Sequence, residues 1–414
     1  MAACISTLVD SGKRRGAMRV LHVTAQKPDS TGSGVYLSQL VAALGRQGHK
    51  QAVVCGVDAA DDPQLPGGVA VHAVRFRTEQ LPFAVCGMSD EMPYESTRYR
   101  DMTPAMVEQF KTAFAKAVRE AVDELQPDLI VCNHLYLVTA LVRNVVPERT
   151  VIAVCHSTCL RQLRQHGLER DYIVEGIRRL DGVFALQGQQ RQAILELFGM
   201  PPSKVGIIGT GYDADVFAPC FGEARPTDVV YVGKIAFKKG VFSLIRALDL
   251  LPESAGRLTV RLVGGAGNQD EWDQAARLAQ ESRHDVQLVG KMTPTQVAQE
   301  YRRAKVFALP SFYEGLPLVT IEALACGCNV VMSDLEGARS WLDANATGAP
   351  VSYVALPAMQ DVDTPVEAEL AAFEQRLAKA LEASLAKPAF RGDMSHLSWD
   401  ALAARLVEKQ AVSL

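Results

Sequence analysis

Two glutamates, Glu314 and Glu322, bracket the stretch Glu314-Gly315-Leu316-Pro317-Leu318-Val319-Thr320-Ile321-Glu322. Carboxylates accept hydrogen bonds from hydroxyls and have no donor to offer a phosphate. Ahead of the pair runs an apolar segment, Val306-Phe307-Ala308-Leu309-Pro310, and behind it Glu322-Ala323-Leu324-Ala325 continues at helical spacing to Gly327. The order is strand, tight loop, helix. In an α/β sheet, ligands collect at the carboxyl ends of strands. A helix N-terminus there, with unpaired N–H groups and the positive end of its dipole, holds phosphate without a metal. Two carboxylates flanking a phosphate-seeking loop suit a ligand with hydroxyls on both sides of a phosphate, which is the shape of a nucleotide-sugar.

Other residues have chemistry at comparable places. Gly32, Ser33 and Gly34 follow the strand Arg19 to Thr24 and precede a helical run, where glycine lets backbone approach a phosphate. Val35-Tyr36-Leu37 supplies no third glycine, so the dinucleotide fingerprint is incomplete. His134 and His156 each end an apolar strand, on one edge of the same half. Arg161 and Arg164 follow in Leu160-Arg161-Gln162-Leu163-Arg164, as contacts for an anionic acceptor or as a solvated helix face.

The Glu314–Glu322 segment, with Pro310-Ser311 ahead and Ala325-Cys326-Gly327 behind, resembles the Glu-x7-Glu signature of family-4-type retaining glycosyltransferases with the GT-B fold. The resemblance implies that Glu314 contacts the donor sugar and Glu322 the ribose hydroxyls. The backbone of Gly315, Leu316, Pro317, Leu318 and Val319 would hold the diphosphate between them. Gly233-Lys234-Ile235-Ala236-Phe237-Lys238-Lys239-Gly240 is similar to the family's Gly-Arg-x4-Lys-Gly, whose two cations neutralise the leaving diphosphate. Lys239 matches. Lys234 stands where arginine is usual, which keeps the charge and loses the bidentate fork. By the same resemblance the Gly32–Gly34 segment faces the diphosphate, His156 and His134 approach the donor sugar, and Gly233, Lys291 and Met292 lie at the nucleotide. Asp213-Ala214-Asp215 has the spacing of a metal motif but is followed by Phe217 and Pro219, as in the family's interdomain segment, and reads as structural. The family implies no metal and no cofactor.

Those residues must be positioned by two series of strands and helices. The first holds Val20–Val23, Ala52–Cys55, Leu129–Cys132 and Val151–Cys155; the second holds Val229–Val232, Leu258–Val263, Val286–Val289, Lys305–Leu309 and Asn329–Met332. Such short unalternating apolar runs suit parallel strands buried on both faces. A helix is expected from about Thr103 to Leu125, an irregular functional loop over 78–101, and a final amphipathic helix over Ser398–Gln410. The expected architecture is α/β, with two Rossmann-like doubly wound domains facing a central cleft. Residues 1–17 form a disordered extension, 18–222 an acceptor-binding domain, 223–390 a nucleotide-sugar domain, and 391–414 a helix crossing back to the first domain.

The composition sets limits. The chain has 414 residues, 48% of them hydrophobic, and a net charge of −4, which gives no basic balance for nucleic acid. No apolar run is long enough to span a membrane. Nine cysteines without pair-like spacing read as free thiols in a reducing cytoplasm. The expected activity is retaining transfer from a nucleotide-diphosphate sugar, UDP-linked and hexosyltransferase in type, to an acceptor the sequence does not identify. Self-association is compatible with it. Three other activities share parts of the pattern. A GT-B nucleotide-sugar epimerase would share the donor site. A nicotinamide-dependent oxidoreductase would need the missing glycine fingerprint. A silent sugar-binding protein would not need the retained glutamates and Lys239.

Overall fold

A computed structural model describes residues 16–28, 30–63, 65–89, 92–220 and 222–411. The expected amino-terminal extension lies, through residue 15, outside them. Seven parallel strands make the first sheet: β1 (Arg19–Val23), β2 (Lys50–Asp58), β3 (Ala70–Phe76), β4 (Leu129–Asn133), β5 (Val151–Val154), β6 (Gly182–Ala185) and β7 (Val205–Ile207). Their order is β3-β2-β1-β4-β5-β6-β7. Six more make the second: β8 (Thr227–Val232), β9 (Thr259–Val263), β10 (Asp285–Gly290), β11 (Ala304–Leu309), β12 (Asn329–Ser333) and β13 (Val351–Val354), in the order β10-β9-β8-β11-β12-β13. Each order reverses direction once, between β1 and β4 and between β8 and β11. Those reversals are where a doubly wound sheet opens a ligand crevice. The fold is the expected pair of Rossmann-like halves.

The strands whose apolar runs are continuous were legible in advance. β3, with the alternating sequence Ala-Val-His-Ala-Val-Arg-Phe, and the short strands β6, β7 and β13 were not, because their apolar runs are brief or broken. Helix α1 (Gly32–Arg46) begins earlier than its apolar period suggests: Thr31 is the cap, and its hydroxyl accepts the Gly34 N–H at 3.1 Å. The Gly32–Gly34 segment is therefore the first turn of α1 and not a loop ahead of it. Helix α2 (Pro104–Leu125) starts at its Thr103 cap with proline at the first position and ends at Gln126 in the left-handed conformation, φ 49°. Three further helices matter below: α3 (Thr158–Gln165), α4 (Leu318–Ala325) and α5 (Trp399–Ala411).

Among its described residues the 78–101 segment is irregular apart from two-residue strands at Cys86–Gly87 and Thr97–Arg98 and a 3-10 turn at Tyr99–Asp101. It is tied to the first half by burial of Leu81, Val85, Cys86, Met88 and Tyr99 and by one cation–π contact. Lys27 Nζ lies 2.7 Å from both Asp58 Oδ2 and Asp61 Oδ2 and sits over the Tyr94 ring at 4.9 Å.

Helix α5 leaves the second half and packs on α1. Trp399, Leu402, Ala403 and Leu406 share one buried cluster with Tyr36, Leu40, Ala43 and Leu44. At its rim Arg46 Nε meets Asp400 Oδ1 at 3.0 Å, with both side chains about half exposed. Apolar burial dominates here, since exposed ion pairs contribute about 0–1 kcal/mol. No helix among the described residues is long and apolar enough to cross a membrane. Leu402→Ala should lower unfolding stability by about 2–5 kcal/mol, and Asp400→Ala by less than about 1 kcal/mol. Urea denaturation of the two variants checks this, and the reverse ranking would make the strap electrostatic.

Candidate active site

The carboxyl ends of β8 and β11 bring the charged residues together. After β8 the chain turns through Lys238 and Lys239 to Gly240, which has φ 68° and lies so close to Pro310 that a Cβ would overlap the Pro310 carbonyl oxygen. Glycine alone permits that approach. Phe312 N–H also donates to the Lys238 carbonyl at 3.1 Å. With the two loops pinned in this way, Lys239 Nζ reaches Glu314 Oε1 at 2.6 Å. Lys234 lies exposed on the same loop, with its ammonium against Gly267, and makes no ion pair with any described residue.

Glu322 stands on the other side of the loop, within α4. It lines a cavity of about 180 Å³ with Val232, Phe217, Met292, Pro294, Val297, Leu318 and Asp213. Its side chain has no hydrogen-bond partner among the described residues. Burial, helped by the charge of Asp213, pushes its carboxyl up to about 7. Asp213, read from the sequence as purely structural, thus also belongs to this wall; its carboxylate caps its own turn, accepting the Asp215 N–H at 3.1 Å. Between Glu314 and Glu322 lies the start of α4. The first N–H groups of a helix have no intrahelical partner, so the amides of Leu318 and Val319 are available to a ligand.

A larger cavity, about 1090 Å³, adjoins the second sheet and is lined by Gly233, Lys234, Lys291 and Met292 together with the run Gly264–Gly267. Tyr94 and Ser96 of the irregular segment close its far side. Gly264, at φ 143°, allows this loop to pass so close to Gly233 that a Cβ would overlap the Gly233 carbonyl.

A cavity of about 310 Å³ sits in the cleft itself. Gly32, Ser33, His134 and His156 come from the first half, and Gly315, Leu316 and Leu318 from the second. His134 has φ 70°, and its Nε2 is 3.0 Å from both Gln26 Oε1 and Ser33 Oγ. His156 Nε2 is 2.9 Å from Asn133 Oδ1, with its ring 4.9 Å from that of His134 and 5.0 Å from that of Tyr36. Burial first, and the neighbouring His134 second, hold His156 well below the usual imidazole range, so it is neutral. The two halves meet closely at Gly315, where a Cβ would lie 3.3 Å from Ser157 Oγ.

Of the expected residues, Gly32, Ser33, His134, His156, Gly233, Lys234, Lys291, Met292, Gly315, Leu316, Leu318 and Glu322 line these cavities, and Gly34 is buried in the first turn of α1. Lys239 and Glu314 are engaged with each other. Pro317 caps α4, and Val319 turns its side chain to the core and keeps only its amide at the site. Sequence reasoning missed Gln26 and Asn133, which fix the two histidines, and the cleft-facing Met88, Ser89 and Met92. No spacing rule points to any of them. Among the described residues no group of three or more His, Cys, Asp or Glu has a metal-holding arrangement.

Known proteins are similar to this chain in both halves. The sequence model of "Glycosyltransferase Family 4" matches residues 30–216, and that of "Glycosyl transferases group 1" matches residues 222–352. A D-inositol 3-phosphate glycosyltransferase of Kribbella flavida is 27% identical, with 82% of this chain and 84% of that protein covered. A glycogen synthase of Mycobacterium tuberculosis is also 27% identical, with 85% and 88% covered. Among solved structures, HepE of Anabaena in complex with UDP and glucose superposes with a TM-score of 0.63 at 17% identity, covering 95% of this chain and 100% of that one. The sucrose-phosphate synthase of Thermosynechococcus elongatus gives 0.62 at 19% identity, covering 95% and 98%.

The raised carboxyl of Glu322 has a consequence for stability. A folded-state value of about 7 against an ordinary 4.5 means the fold favours the neutral acid. Its cost is absent below the ordinary value and grows as pH rises through about 7. Relative to Glu322→Gln, the unliganded protein should thus lose on the order of 1–3 kcal/mol between pH 5 and pH 8. Paired urea titrations at the two pH values measure the gap, and a gap independent of pH contradicts the burial argument.

Proposed function

The chain belongs to the family-4-type glycosyltransferases of GT-B fold, and we propose that it moves a hexosyl group from a UDP-sugar to an acceptor hydroxyl with retention of configuration. The observation that carries this reading is the placement of two carboxylates on opposite sides of one helix N-terminus. Glu322, unpaired in a mostly apolar chamber beside Met292 and Val297, suits ribose hydroxyls next to a base. Glu314, facing the cleft, suits the hydroxyls of the sugar. The amides of Leu318 and Val319 suit the diphosphate between them. The UDP and glucose in the HepE complex support a donor of this kind.

The chemistry follows from that placement. The bond between the anomeric carbon and the diphosphate oxygen breaks, and its electron pair leaves with the phosphate. Lys239, Lys234 and the α4 amides stabilise the charge that develops, an effect usually larger than any other single catalytic contribution. The acceptor oxygen bonds to the anomeric carbon on the face the phosphate leaves, and its proton passes to the departing phosphate oxygen. Neutral His156, fixed by donating Nε2–H to Asn133, lines the sugar chamber together with His134. In this scheme the lysines do the work a divalent ion would otherwise do. The described cysteines are free thiols, which supports action in a reducing cytoplasm.

Lys239→Ala should lower kcat/KM by roughly 10²-fold or more, comparable to loss of one preorganised donor, and chelator should leave the wild-type rate unchanged. Glu322→Ala should weaken binding of free UDP, whereas Glu314→Ala should leave UDP affinity nearly intact and slow transfer. Calorimetry with UDP and initial rates with a panel of nucleotide-sugars test these roles. Equal loss of UDP affinity in both glutamate variants, or activity abolished by chelator and restored by Mg²⁺, would refute them.

A further inference from the structure

Resting on this reading, we infer that the acceptor carries an anionic group, a phosphate or a carboxylate, and that Arg161 is the residue that receives it. A cavity of about 790 Å³ opens between α3 and the loops after β8 and β9. That volume is within the ~300–1,000 Å³ range of small-molecule sites. It shares Lys234 and Gly267 with the cavity beside Met292, and it adjoins the place where the sugar would sit. Met88, Ser89 and Thr158 line both it and the cleft cavity that holds His134 and His156. An acceptor lying here would have its hydroxyl at the shared wall and the rest of its body in the larger space.

The charges on the wall decide what that body can be. Five charged residues line the cavity: Arg161, Lys234, Lys238, Glu271 and Asp363. Both carboxylates already have partners. Asp363 Oδ2 holds Lys238 Nζ at 2.8 Å, and Glu271 Oε1 accepts the Phe237 N–H at 2.8 Å. Lys234 has no pair, but the donor diphosphate engages it in the proposed scheme. Arg161 is left. Its exposed guanidinium makes no ion pair or hydrogen bond with any described residue, and it projects from a helix whose other face is buried. Cys159, Leu160, Gln162 and Leu163 of α3 are buried, and Gln162 Nε2 donates to the Met88 carbonyl at 3.2 Å. The guanidinium thus stands on a helix packed into the first half and lines the cavity. Its planar fork of donors matches a phosphate or carboxylate in a bidentate contact. An anion there would gain a charge-assisted contact that a neutral polyol cannot make, so the site would distinguish acceptors by charge.

The test compares three probes that differ in one substituent: a free hexose, its 6-phosphate and the corresponding hexuronate. Each is titrated into the enzyme with a UDP-sugar, and the concentration that half-maximally changes UDP release is recorded, whether by accelerating or by blocking it. At least one anion should act at a concentration tenfold or more below that of the hexose, and the better of the two identifies the group. In Arg161→Gln that advantage should shrink to within about twofold, and Arg161→Lys should restore part of it. Equal potency of the three probes on the wild-type enzyme, or an advantage retained in Arg161→Gln, overturns the inference. Absence of UDP release with every one of the three probes would count against the transferase reading alone. The anion site would then be judged by whether hexose 6-phosphate raises the unfolding midpoint in UDP more than hexose does, and no difference would overturn it.

Discussion

The contact between Lys239 and Glu314 joins the loops after the two central strands of the second sheet, and much of the surrounding structure serves to make it possible. At 2.6 Å, with the side chains 31% and 16% exposed, it is a partly solvated ion pair. Such pairs contribute little to folding, about 0–1 kcal/mol. Its importance is positional. The pair requires Gly240 to pass against Pro310, which requires β8 and β11 to be neighbours, which is the point where the strand order reverses. It holds a cation against the carboxylate of the loop that leads into α4. On the proposed reading, an incoming diphosphate finds the cation already placed and the carboxylate already turned to the sugar side.

The second constraint is the distance between the halves. The first half contributes two anchored histidines to the cleft: His134 held by Gln26 and Ser33, and His156 held by Asn133. The second contributes charge. The two meet where Ser157 faces Gly315, at which a Cβ would lie 3.3 Å from the Ser157 hydroxyl oxygen. Away from the cleft, α5 buries Trp399, Leu402 and Leu406 against α1, and Gln189 Nε2 donates to Glu336 Oε2 at 2.7 Å across the halves. Apolar burial holds the halves together at the back, while polar contacts of modest strength line the front. That division suits a cleft that must admit and release a ligand.

Much of this was legible in the sequence, for identifiable reasons. Continuous apolar runs announced the central strands, because a parallel strand is buried on both faces. The Glu314–Glu322 spacing and the Gly233–Gly240 run announced the charged loops, because charge and glycine at a strand end are rare without a ligand. β3 escaped because its alternation hides among polar residues, and β7 because three residues carry no period. The true start of α1 escaped because glycines normally discourage a helix, yet the Thr31 hydroxyl caps Gly34 and begins one. Gln26, Asn133 and Met88 act through tertiary contacts with residues far along the chain, so no local pattern could mark them. Glu322's raised carboxyl was equally invisible, since it depends on burial beside Asp213.

The central claim is that the charge pair at the β8 and β11 loops is the receptor for a departing diphosphate. A crystal structure with UDP bound tests it most directly. The account predicts the β-phosphate over the amides of Leu318 and Val319, with Lys239 Nζ about 2.7–3.2 Å from one of its oxygens, and the ribose hydroxyls on Glu322. A diphosphate bound elsewhere, leaving Glu314 as the sole partner of Lys239, would contradict it.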